Sequence, residues 1–563
     1  MLDYLIAIVG LYLGYSFICL ELNYRRASSM GIPLVRVPVD PLNIPFQVFE
    51  PHLFALLDLL PSGVLPNFVP YLRRGWFFLD KADSHLRYGP MFAIVTPRGI
   101  HVQICDSEVI HDMFSRRLDF VRPVENYKLL EIYGPCISTA NAENWPRHRK
   151  VLATPFNENI MKFVWSESLS QTKQMLHTWT TGASTTHGII SVAKDTRTLS
   201  LDVLAATGFR QSFSFQSSSD DDGGAGTNTA SSYRDALSTV LDNAILLMLI
   251  PRRYLSLPFV PQSLQRIGKA AEEFKKHMER MLVDETAAHK QGKTGAGGLM
   301  TSFVKALNNH NANPDSEGSK KQSPGLLVDE IFGNIFVINF AGHDTTANTL
   351  AFSMYLLATT PDVQNWVGEE VQRFVAKDDE WDYERLFPQL LRCRAVLMET
   401  LRLFPPIVSL PKQTNSSPQE IMLENRRVVI PANTSTSPCV IAAHTHPKYW
   451  PNPLKWNPSR WIKTGDDGTE DLITPPRDTF FPWSDGAQNC PGAKFSQVEF
   501  VAVLALLMQA HRLSVVKNDG ETGEQMTERV RKVVEDCDLQ LLLRMRDADR
   551  VKLRCSPLTQ VAV

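Results

Sequence analysis

Cysteine is scarce in this chain: eight residues among 563, with no two of them forming a Cys-x-x-Cys pair. That density excludes a disulfide-built scaffold. The missing pairs argue against a thiolate zinc site, so the cysteines at 19, 105, 136, 393, 439, 490, 537 and 555 are each read alone. A surplus of charge is missing too. Lys and Arg number 58 and Asp and Glu 60, a net charge of −2, which argues against holding nucleic acid by bulk charge. No Gly-x-Gly-x-x-Gly loop is present to cradle a dinucleotide. The fourteen histidines show no metal-ligand spacing, and no segment repeats. What is present is 44% hydrophobic and 21% charged residues, the composition of a folded globule with a large core.

Long uncharged runs are also few. Tyr4–Leu20, YLIAIVGLYLGYSFICL, stands out. As a helix it would span about 26 Å, close to the roughly 27 Å core of the endoplasmic reticulum membrane. A cleaved signal peptide carries positive charge before its apolar run and small residues after it. Here Asp3 precedes the run and Arg25 and Arg26 follow it, which reads as an uncleaved, single-pass anchor. The arginines leave the rest of the chain in the cytosol, where the sequons at Asn415 and Asn433 would stay unmodified. Pro33, Pro38, Pro41 and Pro45 predict a stiff, non-helical spacer. The expected layout is an anchor over 1–22, a proline-rich linker over 23–50 and one large domain over 51–563.

Ser217–Ser232, and Gln291–Pro324 apart from a helical piece, lack apolar periodicity and read as surface loops. Helical patterns dominate elsewhere. Asp329–Thr359 makes about eight turns, Gln389–Phe404 is stopped by Pro405-Pro406, and Phe495–Met508 is a third helix. Strand signals fall at 92–95, 100–104, 427–430 and 539–545, the last pairing through Asp547-Ala-Asp with Val551–Arg554. The fold class is mainly α with small β-sheets.

Phe481–Ser496 reads FPWSDGAQNCPGAKFS. Pro491 suits a first helical position, which makes Cys490 the expected N-cap. A helix N-terminus favours a thiolate, and Gly486 and Gly492 let a large flat group approach the backbone. Such a thiolate suits an axial iron ligand, whereas a lone cysteine is otherwise a buried, inert thiol. The loop resembles the haem-binding loop of the cytochrome P450 superfamily, Phe-x-x-Gly-x-Arg-x-Cys-x-Gly. Trp483, Gly486, Gln488, Cys490 and Gly492 occupy those positions. Trp for Phe is conservative; Gln488 for Arg removes a charge that the family uses near a haem propionate. The Pro-Trp-Ser-x-Gly-x-Gln-Asn-Cys-Pro-Gly form is similar to that of filamentous-fungal members.

Further motifs follow in the family's order. Trp145-Pro-Arg-His-Arg149 resembles Trp-x-x-x-Arg, which implies that Trp145 and Arg149 reach a propionate, with Lys412 beside them. Arg147 and Lys150 would face solvent and steer an acidic reductase. Ala341–Thr346 resembles the oxygen-activation segment. Thr345 bonds the carbonyl of Ala341, a kink at Gly342 opens a groove, and Thr345 and Asp344 are the implied proton-delivering catalytic residues. Glu399-Thr-Leu-Arg402 resembles Glu-x-x-Arg. That spacing alone is weak, since it recurs at Glu370–Arg373, Glu424–Arg427 and Glu528–Arg531, where it reads as a solvated helix face. The 399 copy sits in an apolar helix, and Arg460 is its implied third partner, holding one carboxylate between two guanidiniums. His444 reads as structural. Val337, Phe340, Ala341, Ile407 and Val408 would line the substrate pocket.

The resemblance covers about residues 50 to 555. It implies the cytochrome P450 fold after one transmembrane helix, with haem as cofactor and Cys490 as its axial thiolate. It also implies monooxygenation of a lipophilic small molecule in secondary metabolite biosynthesis. The implied partners are NADPH-cytochrome P450 reductase, cytochrome b5 and the endoplasmic reticulum membrane. An oxygen-independent isomerase or dehydratase, and a non-catalytic haem- or lipid-binding membrane protein, stay open as alternatives.

Overall fold

The computed structural model describes residues 2–41, 43–216, 229–291, 298–312, 325–375, 380–475, 479–539 and 541–558. Helices predominate. The longest, Val328–Thr359, runs 32 residues without a break, as the apolar pattern predicts. Asp329 and Glu330 occupy its first turn, where the helix dipole favours negative charge. Apolar side chains all round it require burial on every side. Val192–Phe209, Leu391–Leu403 and Ala493–Ala510 pack against it, and Glu158–Thr180 lies against two of these. Their apolar faces share one core that includes Trp165, Phe352, Leu397, Val501 and Leu504. Gly342 lets the central helix come close to Val192–Phe209, because a Cβ there would stand 3.0 Å from the Leu204 side chain.

A six-stranded sheet runs in the order Leu34–Arg36, Met91–Val95, Ile100–Ile104, Ser435–Pro438, Lys412–Thr414, Phe120–Val121. Gln419–Leu423 and Arg426–Ile430 form a separate hairpin. The first three strand signals are found within a residue of their expected places. The C-terminal pairing is not. Cys537–Leu539 and Leu543–Met545 pair with each other, and Leu553–Pro557 pairs with His511–Val515. Alternation of period two runs on in the sequence from one strand to the next, so the pattern reads two strands as one. Of the expected loops, residues 217–228, 292–297 and 313–324 lie outside the described residues. Thr229–Asp242 and Leu299–Ala312 are helices.

The N-terminal region corrects the expected spacer. One helix spans Leu2–Ser28, past the proposed boundary at residue 22. Asn23 Nδ2 donates to the carbonyls of Thr96 and Pro97 at 3.0 and 3.1 Å. Leu20, Ala27, Met30 and Ile32 are buried against the sheet. Leu34–Arg36 is itself a sheet strand, parallel to Met91–Val95, and Ile44–Leu57 is a helix. The prolines permit this because Pro33 and Pro38 flank the strand and Pro45 sits in a first helical turn. Membrane crossing by Leu2–Ser28 is not established by this fold. Among the described residues, Ala493–Ala510 is the helix long and apolar enough to cross a bilayer, and 67% of it is buried, as befits a core helix.

Leu20 marks the point where the first helix turns from exposed to buried. Removal of residues 1–18 should leave fold and haem content intact. Removal of 1–28 should lower the thermal midpoint, because a buried Leu contributes about 1.5–3 kcal/mol and two carbonyls lose a donor worth about 1 kcal/mol each. Thermal unfolding of both truncations checks this; equal midpoints would show that the second half of the helix lies outside the core.

Candidate functional site

Glu399, fully buried on Leu391–Leu403, anchors the site. Its carboxylate accepts Arg402 Nε and Nη2 at 2.8 and 2.9 Å. It also accepts Arg460 Nε at 3.0 Å, the Asn457 N–H at 2.8 Å and Trp461 Nε1 at 3.0 Å. Arg402 donates onward to the carbonyls of His444 and Pro453. His444 Nε2 accepts the Phe481 N–H at 2.8 Å, so this imidazole is neutral. Burial, and then the Arg402 charge, push its pKa down to about 3. Phe481 opens the loop that carries Cys490. The expected clamp of Glu399, Arg402 and Arg460 is in place, with Trp461 as a partner that no spacing signalled. The rival copies differ: Glu528–Arg531 is an exposed pair, and Glu370 accepts the N–H groups of Arg392 and Cys393 instead.

In the loop, the Cys490 N–H donates to the Trp483 carbonyl at 2.8 Å, and Trp483 Nε1 donates to Ser496 Oγ at 3.0 Å. Gly486 has φ +65°, and a Cβ there would lie 2.6 Å from the Phe114 carbonyl oxygen, so glycine is required. The helix begins at Ala493 with Gly492 as N-cap. Cys490 is therefore not the cap: Pro491 and Gly492 make a turn before the helix starts. Cys490 is the exposed one among the eight cysteines. Its thiol opens onto accessible space while protein crowds its other sides. That desolvation raises its pKa, opposed by the Gly492 N–H and by the Arg149 charge.

A cationic edge adjoins the loop. Arg149 donates to the carbonyl and Oδ1 of Asn489, at 2.7 and 2.5 Å. Lys412 Nζ donates to Gln488 Oε1 at 2.6 Å; burial, and then the charge of Arg122, bring its pKa down to about 8. Arg117 lies 5.4 Å over the Trp145 ring. Among the described residues none of Arg117, Arg122, Lys412 and Arg149 has a carboxylate partner. Trp145 Nε1 and Arg117 Nη1 are buried without a hydrogen bond. Arg117 and Arg122 belong to no motif in the sequence. They flank Phe120–Val121, whose pairing with Lys412–Thr414 exists only in the sheet.

The helix Trp145–Ala153 is fastened to the central helix. Arg147 donates to both Glu330 oxygens, at 2.7 and 2.5 Å, and Asn334 Nδ2 lies 2.9 Å from His148 Nδ1. Burial would raise the Glu330 carboxyl, but hydrogen bonds from His148, Arg147 and the Leu327 N–H hold it at about 2. Arg147 thus does not face solvent to steer a reductase, a correction that follows from Glu330 reaching across from a helix distant in sequence. Lys150 is exposed as expected.

On the central helix, Thr345 Oγ1 donates to the Ala341 carbonyl at 2.9 Å. The helix is continuous through Gly342, and the glycine gives room for the Leu204 side chain. Asp344 accepts Arg197 Nε and Nη2 at 2.6 and 3.3 Å. Burial would raise its carboxyl, but the charges of His343 and Arg197, the Arg197 hydrogen bonds and Arg544 hold it below the ordinary range. Arg197 also lines a cleft of about 610 Å³ with Lys194, Asn348 and Arg544. Among the expected pocket residues, Ala341 is exposed and Phe340 and Ile407 are half-buried. Val337 and Val408 are buried, Val408 within the main core. Apolar character does not distinguish a cavity wall from core.

The family model for Cytochrome P450 matches residues 64–534, and the chain belongs to that family. It is 27% identical to a cytochrome P450 monooxygenase of Arthrobotrys oligospora, over 95% of each chain. It is 30% identical to cytochrome P450 monooxygenase 124 of Postia placenta, over 76% of this chain and 78% of that one. It is 28% identical to the phomenoic acid biosynthesis cluster cytochrome P450 monooxygenase of Leptosphaeria maculans, over 88% and 89%. The family's cofactor is haem on a cysteine thiolate. An accessible thiol beside four uncompensated cations and two unpartnered N–H donors fits an iron and two propionates.

Glu399→Gln leaves two buried guanidiniums without their counter-charge and should cost about 3–5 kcal/mol, with most of the expressed protein lacking haem. Haem occupancy and the thermal midpoint check this, and wild-type values would show that the clamp is redundant. Lys412 gives a pH dependence. Its protonated form attracts an anionic propionate, so haem affinity should be highest below about pH 8 and fall as the lysine loses its proton above it. Haem titration of the apoprotein should show this fall in wild type and a flatter profile in Lys412→Met.

Proposed function

We propose that this protein is a haem-thiolate monooxygenase that holds iron on Cys490 and inserts one oxygen atom from O2 into a lipophilic small molecule. The observation that carries the reading is the exposed Cys490 beside a cationic edge with unpartnered donors. Bound haem supplies the oxygen chemistry. The chain supplies the rest. Trp145, Arg149 and Lys412, joined by Arg117 and Arg122, hold the propionates, and Gln488 positions Lys412. Gly492 leads the Cys490 loop into its helix. Asp344 and Thr345 pass protons toward the reacting side. Phe340, Ala341 and Ile407 offer an apolar wall, which favours a lipophilic substrate. The named biosynthetic cluster of one relative supports a role in secondary metabolism.

Electrons come from a separate NADPH-cytochrome P450 reductase, with cytochrome b5 as an optional second donor. Exposed Tyr4, Leu11, Leu13, Phe17 and Ile18 support a single-pass anchor in the endoplasmic reticulum membrane with the catalytic domain cytosolic. The division between anchor and domain falls near Cys19, and the former linker belongs to the domain.

Reduced protein under carbon monoxide should show the red-shifted Soret band of a thiolate ligand, and Cys490→Ser should abolish it; a retained band would overturn the ligand assignment. Thr345→Ala should keep the band and raise the share of NADPH electrons released as hydrogen peroxide. An unchanged share would make Thr345 an ordinary helix residue.

A further inference from the structure

Leu20 ends the uncharged run of the first helix, and it is also buried against the domain. The turn that follows is fastened. Asn23 holds the carbonyls of Thr96 and Pro97. Glu21 lies 3.3 Å from Arg36 Nη2, and the Arg36 guanidinium lies 3.5 Å over the Tyr24 ring. The helix is continuous across this boundary, so no spacer separates the apolar run from the domain. Tyr4–Leu20 spans about 26 Å at about 1.5 Å per residue, and a thin bilayer core of about 27 Å takes up all of it. A domain joined to a spanning helix without a spacer meets the headgroup layer with whatever surface surrounds the joint.

The joint lies at one end of the six-stranded sheet, where Arg36 pairs with Val95 and residues 96–99 turn into the next strand. The chain leaves that end a second time. The Val37 N–H donates to the Val95 carbonyl at 2.8 Å, Thr96 Oγ1 donates to Asp40 Oδ2 at 3.2 Å, and the helix Ile44–Leu57 starts just beyond. This second helix is apolar on two sides. Phe54, with Phe46 and Leu57 beside it, packs into a core with Val35, Tyr71 and Phe92. The other side exposes Val48, Phe49 and Leu56, and Leu59 and Leu60 continue the strip past the helix end, with Phe49 at 67% and Leu59 at 80% exposure. Single exposed apolar residues are ordinary, but a contiguous strip marks a binding surface. Arg74, which donates to the Gln47 carbonyl at 3.1 Å, and Arg98 in the turn are both exposed. Cations at a membrane surface are drawn to anionic lipid headgroups.

We propose that the outer face of Ile44–Leu57, with Leu59 and Leu60, is a docking surface for the phospholipid bilayer. Phe49, Leu56, Leu59 and Leu60 enter the boundary between headgroups and acyl chains, and Arg74 and Arg98 meet lipid phosphates. This rests on the reading of the first helix as a membrane anchor. A second copy of the chain or a partner protein would cover the same strip. The bilayer is favoured because the first helix and the strip leave the same end of the sheet, and the joint leaves no distance between that end and the lipid. The catalytic domain therefore rests on the membrane and does not hang from a tether.

The test uses full-length, haem-loaded protein in phosphatidylcholine vesicles whose acyl chains carry an alkyne tag, with purified NADPH-cytochrome P450 reductase in the same vesicles. The photoreactive residue p-benzoylphenylalanine is placed, one position at a time, at Leu11, Phe49, Leu56, Leu60 or, as a control, the exposed Val283. All five side chains are exposed, and only variants that keep the carbon monoxide band are irradiated. Tagged lipid should be joined at positions 11, 49, 56 and 60 several-fold more than at 283. Lipid at 11, with only the control level at 49, 56 and 60, would overturn the docking surface and leave the anchor standing. Crosslinks from 49, 56 and 60 to a second copy of the chain or to the reductase, in place of lipid, would overturn it too. Lipid at 49, 56 and 60 without lipid at 11 would remove the anchor reading and leave the docking surface standing.

Discussion

One buried carboxylate holds this molecule's working half together. Glu399 accepts five hydrogen bonds from four residues, three of which lie some sixty positions further along the chain. Removing a charge from water costs several kcal/mol, and only a complete set of donors offsets it. Glu399 has that set, and Arg402 extends it through the His444 carbonyl to the Phe481 N–H. The Cys490 loop therefore hangs from a rigid polar network and does not depend on its own short turns alone.

A different electrostatic rule governs the neighbouring edge. There Arg117, Arg122, Lys412 and Arg149 gather without acids, which an isolated protein pays for in desolvation and repulsion; the lowered pKa of Lys412 reports both. Such an arrangement makes sense around an anionic group. At Gln488 the side-chain oxygen accepts from Lys412, which itself feels the charge of Arg122. The same principle runs the other way on the central helix, where Asp344 is surrounded by His343, Arg197 and Arg544.

The first fifty residues show how local chemistry misleads when tertiary partners are unknown. Their prolines are spaced so that a strand and two helices fit between or around them, and the sheet supplies hydrogen bonds to the strand. The helix Leu2–Ser28 has two halves with different surroundings: exposed aromatic and aliphatic side chains before residue 19, and burial at Leu20 and Ala27. Continuous helix between them couples the orientation of one half to the other.

By itself the sequence determined the helical class, the span of the central helix, the loop around Cys490 and the three charged members of the clamp. These depend on apolar period, on glycine and proline placement and on motifs whose order along the chain is informative. Tertiary structure alone decided that Cys490 precedes the helix cap, that Arg147 turns inward to Glu330, and that Val408 belongs to the core. It alone brought Arg117 to Trp145, Arg122 to Lys412 and Arg197 to Asp344. Each of those outcomes pairs residues far apart in the chain. A charged or apolar side chain carries no local mark of the partner it will meet, because the meeting is arranged by sheet register and helix packing.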